Sequence, residues 1–116
     1  MKIYLKRIYV AASETDGKRI LVDRLWPRGI KKELAKIDLW AKEISPSNEL
    51  RQWYHEDIDG HWDEFQQRYR TELAAHGSQV EELRQLALQQ DITLITAEKN
   101  EGRSHISILK QVLQNN

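Results

Sequence analysis

The chain has 116 residues, 40% of them hydrophobic, and its 18 Lys and Arg balance its 18 Asp and Glu. That length suits one domain with a real core, and a pI near 6.9 argues against bulk attraction to nucleic acid or to an anionic membrane. With no cysteine, disulfides, thiolate metal sites and thiol nucleophiles are excluded, and no apolar run approaches the roughly 18 residues of a membrane span.

Residues 3–10 alternate Ile3, Leu5, Ile8 and Val10 with Lys6 and Arg7, which predicts a strand with one wetter face. The opening MKIYLKRIYV lacks the apolar core of a signal peptide, so a cytoplasmic protein is expected. Ala11 to Lys18 is a polar turn closed by Asp16-Gly17. It is short for a parallel crossover, which leaves two options open: an antiparallel hairpin, or a parallel pair joined by an abbreviated helical turn. Ile20 to Leu25 reads as the central strand, ended near Trp26 because Pro27 has no N–H to donate.

Lys32 to Ile44 places Leu34, Ile37, Trp40, Ala41 and Ile44 on one helical face. Ser45-Pro46-Ser47 breaks that helix and starts a short one through Leu50, Trp53 and Tyr54. After the loop Glu56 to Gly60, Asp59 is expected to cap a helix with Trp62, Phe65, Tyr69 and Leu73 inside. His76-Gly77 ends it, and Ser78 with Glu81 predicts a capping box for the next helix, which buries Val80, Leu83, Leu86 and Ala87. ITLITA, Ile92 to Ala97, reads as a buried strand. Beyond the loop Glu98 to Gly102, a last helix buries Ile106, Leu109, Val112 and Leu113.

The order strand, strand, helices, strand, helix predicts a single α/β domain: a small, mainly parallel sheet of about three strands flanked by helices. The loops after Trp26 and after Ala97 then emerge at one sheet edge and face each other, where open α/β sheets hold their ligands.

The stretch RILVDRLWPRG, Arg19 to Gly29, carries the chemistry of that edge. Arg24 and Arg28 offer planar, permanently charged guanidiniums suited to carboxylate or phosphate. Arg24 shares a strand face with Ile20 and Val22, so its charge needs a partner or a wet cleft. A structural pair with Asp23 or a helix carboxylate is the plainer reading, an anion site the sharper one. Trp26 would form an apolar wall, and Gly29 lets backbone come close beside the free N–H groups of the following helix start. Asp23, between Leu21 and Leu25, is a brace neutralised by a cation or a candidate acid or base. Glu98, Lys99 and Asn100 follow the ITLITA strand, and His105 lies in the first turn of the last helix. Asp23, Glu98 and His105 are thus the candidates for catalysis. Arg24, Trp26, Arg28, Gly29, Lys99 and Asn100 are the candidates for binding.

Charge is unevenly spread: seven Lys and Arg against two acids between Lys18 and Lys36, and seven acids against one Arg between Glu43 and Glu64. Two solvated faces explain this most simply; a basic rim opposite an acidic one is the alternative. The run His55, Glu56, Asp57, Asp59, His61 and Asp63 lacks the spacing of zinc helices and calcium loops. Capping and solvation explain it, and neither a metal nor a cofactor is expected.

The strings DGKRILVDRLWPRGIKKE, Ser45-Pro46-Ser47-x-Glu49-Leu50-Arg51-x-Trp53 and ITLITAEKN resemble the YeaO-like branch of the domain-of-unknown-function family 488, over nearly the whole chain. The resemblance implies a small cytoplasmic α/β protein and brings no reaction with it. The broader family's pattern ends the corresponding strand in Cys-x-Glu and opens the last helix with Cys-His-Arg. Here Thr96 and Ser104 stand at those cysteines, Glu98 and His105 match, and Ile106 replaces the Arg. Thiol chemistry therefore does not carry over. The YeaO-like branch has Asn-His-Ala where this chain has Ser104-His105-Ile106, which weakens an amide-based site.

The reading that follows is a protein that binds a small phosphate- or carboxylate-bearing molecule in a cleft at the carboxyl ends of the LVDRLW and ITLITA strands. The alternative is a non-enzymatic protein–protein interaction module. Nucleic acid is disfavoured by the neutral charge and the lack of a basic helix, and no membrane partner is expected.

Overall fold

Four strands form one all-parallel sheet: β1 (Ile3–Arg7), β2 (Lys18–Leu21), β3 (Leu39–Trp40) and β4 (Ile92–Thr96), in the order β1-β4-β2-β3. The computed structural model describes residues 2–99 and 101–115, with residue 101 described in its backbone alone. β4 comes last in the chain yet sits inside the sheet, paired with β1 on one side and β2 on the other. All five of its residues are buried, as a strand covered on both faces requires. The parallel α/β sheet is the expected one, with an additional edge strand.

β1 and β2 are parallel and flank β4, which decides between the two options left open by their short connection. A 3-10 turn over Glu14–Asp16 makes the link, with Ser13 accepting from the Thr15 N–H while Asp16 accepts from the Ser13 N–H. Gly17 follows at φ 64°, where a Cβ would stand 2.0 Å from the Asp91 carbonyl oxygen, so only glycine closes this turn.

The helices are α1 (Lys32–Ala35), α2 (Asn48–Glu56), α3 (Ile58–Ala74), α4 (Gly77–Gln89) and α5 (His105–Gln114). Ile20, Val22, Ile92 and Leu94 point to one face of the sheet, where Phe65, Tyr69, Leu83 and Leu109 from α3, α4 and α5 complete the main core. Leu21 and Ile95 point the other way and meet the buried Ile8 and Ala35, with Trp26, Ile30, Ile37, Trp40 and Ala97 around them. One face is thus thickly covered and the other thinly. No helix among the described residues is long and apolar enough to cross a membrane.

Several local expectations are corrected. The helix expected over 32–44 is instead a single turn, α1, then β3, then a 3-10 turn over Lys42–Ile44. Lys36 adopts a left-handed φ of 53° and stops α1; Asp38 then exchanges hydrogen bonds with Arg19, its N–H donating to the Arg19 carbonyl and its carboxylate accepting from the Arg19 N–H. Leu34, assigned to the inner face, is 72% exposed. Asp57 rather than Asp59 caps α3, accepting from the Gly60 N–H at 3.1 Å. His76 occupies the N-cap of α4 with no side-chain bond, so Ser78 lies inside the helix and makes no capping box. β2 stops at Leu21, four residues short of the expected end.

Candidate functional site

β2 leaves its ladder early because a side chain takes over from the backbone. The Val22 N–H still donates to the Ile95 carbonyl at 2.8 Å. Beyond it, the Asp23 carboxylate accepts from the Ala97 N–H at 2.8 Å and from the Thr96 hydroxyl at 2.5 Å. The same hydroxyl oxygen accepts from the Glu98 N–H at 3.1 Å. From α5, His105 places Nε2 against the Val22 carbonyl and 3.4 Å from Asp23 Oδ1. Donation to that carbonyl puts a proton on Nε2. The Asp23 backbone carbonyl accepts from the Trp40 indole at 2.6 Å. The carboxyl ends of β2 and β4 are therefore stitched together by Asp23, Thr96 and His105, and the chain on either side splays apart.

A cleft of about 230 Å³ opens there, between the 23–28 loop, α2 and the loop after β4, with Phe65 and His105 in its floor. Three arginines line it. Arg24 is half-buried; its Nη2 donates to the Ser45 carbonyl at 2.7 Å and its Nε to the Pro46 carbonyl at 3.4 Å. Arg28 is exposed. Arg51, on α2, has a buried Nε–H with no acceptor. Among the described residues, none of the three stands within ion-pair distance of a carboxylate. The two acids of the cleft are engaged elsewhere: Asp23 as above, and Glu98 with His55 Nε2 at 2.8 Å. His55 Nδ1 lies 2.7 Å from the Arg51 carbonyl.

The walls are apolar. Trp26 is fixed by its indole N–H, which donates to the Ile30 carbonyl at 2.6 Å, and by an edge-on contact with Trp40 at 5.4 Å. Tyr54 stacks on Phe65 with ring centroids 4.0 Å apart and donates its hydroxyl to the Arg103 carbonyl. Burial above all, opposed by the Arg103 charge and assisted by Glu98 and Asp59, pushes the Tyr54 phenol up to about 12, so it stays protonated and is not a base. Arg7 holds the far loop by donating to the Glu98 carbonyl at 3.1 Å and the Ala97 carbonyl at 3.3 Å.

Six of the nine residues singled out from the sequence meet in this one cleft: Asp23, Arg24, Trp26, Arg28, Glu98 and His105. Gly29 does not; at φ 77° it turns the chain away and lines a shallow groove with Tyr9 and Leu34 instead. Lys99 is exposed and lies outside the cleft lining. Asn100 lies outside the described residues. The structural pairing of Arg24 with Asp23 or a helix carboxylate, the plainer of its two readings, is not formed, and backbone carbonyls take its place. Sequence reasoning missed Arg51, Tyr54 and His55. They recur at i, i+3 and i+4 on α2, the spacing that puts side chains on one face, and Arg51 is the lone cation of the acidic segment. His55 and His61 diverge: the first meets Glu98, the second stacks on Trp53 at 3.9 Å. Among the described residues, no group of three or more His, Asp or Glu is placed to hold a metal ion.

A family model described as the inactive DUF488-N3 subclade matches residues 2–116. The chain is similar to Escherichia coli YeaO, described as an uncharacterized protein, at 43% identity over 114 residues, which is 98% of each chain. It is also similar to the uncharacterized protein Rv3073c of Mycobacterium tuberculosis, at 41% identity over 112 residues, covering 97% of this chain and 93% of that one. No solved structure matches it.

Proposed function

We propose that this chain, which belongs to the family described as the inactive DUF488-N3 subclade, binds a small phosphate- or carboxylate-bearing molecule in the cleft at the carboxyl ends of β2 and β4. The observation that carries the reading is the set of three guanidiniums, Arg24, Arg28 and Arg51, that line one cleft without a carboxylate partner among the described residues. A buried Nε–H left unsatisfied costs about 1–3 kcal/mol, and an anionic oxygen relieves it. Binding without turnover agrees with the family's description as inactive and with hydroxyls at Thr96 and Ser104, where the broader family's pattern has cysteines. In this reading Asp23 and His105 hold the floor in shape, Glu98 and His55 close the rim, and Trp26 forms a wall. A cytoplasmic setting, implied by the resemblance, is part of the same proposal.

Thermal denaturation with inorganic phosphate, sulfate or succinate tests this. At tens of its Kd, a bound anion should raise stability by about 2 kcal/mol, and Arg51→Gln should abolish most of that gain. No shift with any anion overturns the reading.

The alternative, a module that docks a protein partner, has one observation in its favour. Leu34 is 72% exposed on the thin side of the sheet, beside the exposed Lys31, Lys32 and Lys36. Co-purification of one acidic protein, lost on Leu34→Glu, would favour it over the anion cleft.

A further inference from the structure

The cleft is not built for a bare anion. Its cationic groups, Arg24, Arg28 and Arg51, share it with Leu25, Trp26, Pro27, Tyr54 and Phe65, while its two acids, Asp23 and Glu98, are engaged with Thr96, Ala97 and His55. Leu25 is 62% exposed at the mouth, and the Trp26 indole is half-buried and held at both its N–H and its ring edge. Inorganic phosphate would satisfy guanidiniums and leave this apolar surface wet, whereas covering it is favourable in its own right. The size sets a further limit. At about 230 Å³ the cleft is smaller than the roughly 300–1,000 Å³ of sites for drug-sized ligands, too small for a dinucleotide or a polymer end with several units inside.

Building on the anion-cleft reading, we propose that the occupant is a single flat apolar ring that carries a phosphate monoester or carboxylate. Ring and head divide the cleft between them. The head takes the free Arg51 donors and the unbonded Nη1 of Arg24, whose Nη2 and Nε are anchored on the Ser45 and Pro46 carbonyls. Anchoring on carbonyls fixes the Arg24 fork in place without neutralising it, so its orientation is set before the ligand arrives. The ring lies against Trp26 and Leu25, and the exposed Arg28 closes over the solvent side of the head. Both head types suit a guanidinium fork, and the probes separate them.

Calorimetric titration of the whole chain with phenyl phosphate, benzoate, inorganic phosphate and phenol tests the assignment. Phenyl phosphate or benzoate should bind at least about tenfold tighter than inorganic phosphate, with phenol weaker than either acid. Arg51→Gln should weaken the better aryl acid about tenfold. Leu25→Ser, at an exposed position of the mouth, should narrow the aryl-to-inorganic gap several-fold. Equal affinity for phenyl phosphate and inorganic phosphate overturns the ring while the anion cleft stands; phenol binding as tightly as the aryl acids overturns the head; no binding by any acid overturns both readings together.

Discussion

Arg19 and Arg24 stand five positions apart, at the amino and carboxyl ends of the same strand segment, and the protein treats them in opposite ways. Arg19 is 5% exposed and fully matched. Its Nη1 lies 2.7 Å from Asp16, its Nη2 donates to the Ala35 carbonyl at 2.9 Å and its Nε to the Lys36 carbonyl at 3.1 Å. Lys6 completes the set at 2.8 Å from the same Asp16 carboxylate. Among the described residues Arg24 has only carbonyls, and the acid next to it in sequence turns away to Thr96 and Ala97. A charge that holds elements together is neutralised where it is buried. Charges left without a counter-ion gather where two loops part, and that contrast is the physical basis for treating the carboxyl end of the sheet as the working end.

The contrast breaks most visibly at Arg19. Arg19→Met leaves Asp16 short of a partner and strands the Ala35 and Lys36 carbonyls, so it should cost about 3–5 kcal/mol in urea denaturation. A loss under about 1 kcal/mol would mean that the two arginines do not differ in kind. The pH dependence sharpens the same point. Burial pushes the Asp16 carboxyl up, but hydrogen bonds from Lys6, the Ser13 N–H and Arg19 outweigh it and hold the group below its ordinary value of 3.8. A value depressed in the folded state means that the stabilisation is complete above the unfolded range and is lost as pH falls through the folded one. Acid titration below about pH 4 should therefore destabilise the wild type more steeply than Asp16→Asn. Equal slopes would remove Asp16 as the source.

Asp23→Asn comes next in size. The amide oxygen can still accept from Ala97, but its NH₂ then faces the Thr96 hydroxyl, which loses its acceptor and must turn its proton elsewhere, so with two charge-assisted bonds gone a loss of about 1–3 kcal/mol is expected. The cleft should also loosen, read as faster amide exchange at Ala97 and Glu98. Unchanged exchange would mean that the two strand ends are held by something other than this carboxylate.

Asp23 also explains what could be read in the chain beforehand. Residues at strand ends are adjacent in sequence to the apolar runs that mark the strands, so Arg24, Trp26, Arg28 and Glu98 fall at the cleft once LVDRLW and ITLITA are recognised. Segment 32–44 was misleading because Leu34, Ile37, Trp40, Ala41 and Ile44 recur at helical spacing in a stretch that pairs as an edge strand. What decides it is the need of β2 for partners along its open side: Asp38 N–H to the Arg19 carbonyl at 2.9 Å and Ala41 N–H to the Leu21 carbonyl at 2.8 Å. That demand is tertiary and leaves no periodicity. Arg51 was illegible for a related reason. It looks like one cation on a solvated acidic helix until α2 is laid across the mouth of the cleft.

Arg51 gives the smallest expected effect on stability and the most discriminating one. Since its Nε–H is buried without an acceptor, replacing it removes an unmet donor and no bond. Arg51→Met keeps an unbranched aliphatic stem at this position of α2, so stability should change by no more than about 0.5 kcal/mol, or rise slightly. The same exchange at Arg19 is expected to be several times more costly, although both remove one guanidinium with a buried Nε. If Arg51→Met destabilises as strongly as Arg19→Met, Arg51 is a structural charge and the opposition between the two ends of β2 collapses. If it is neutral for folding yet lowers affinity for inorganic phosphate, the side chain is kept in an unsatisfied state that only a ligand relieves. A group maintained against its own desolvation, with nothing in the fold to reward it, is the signature of a site held open for binding.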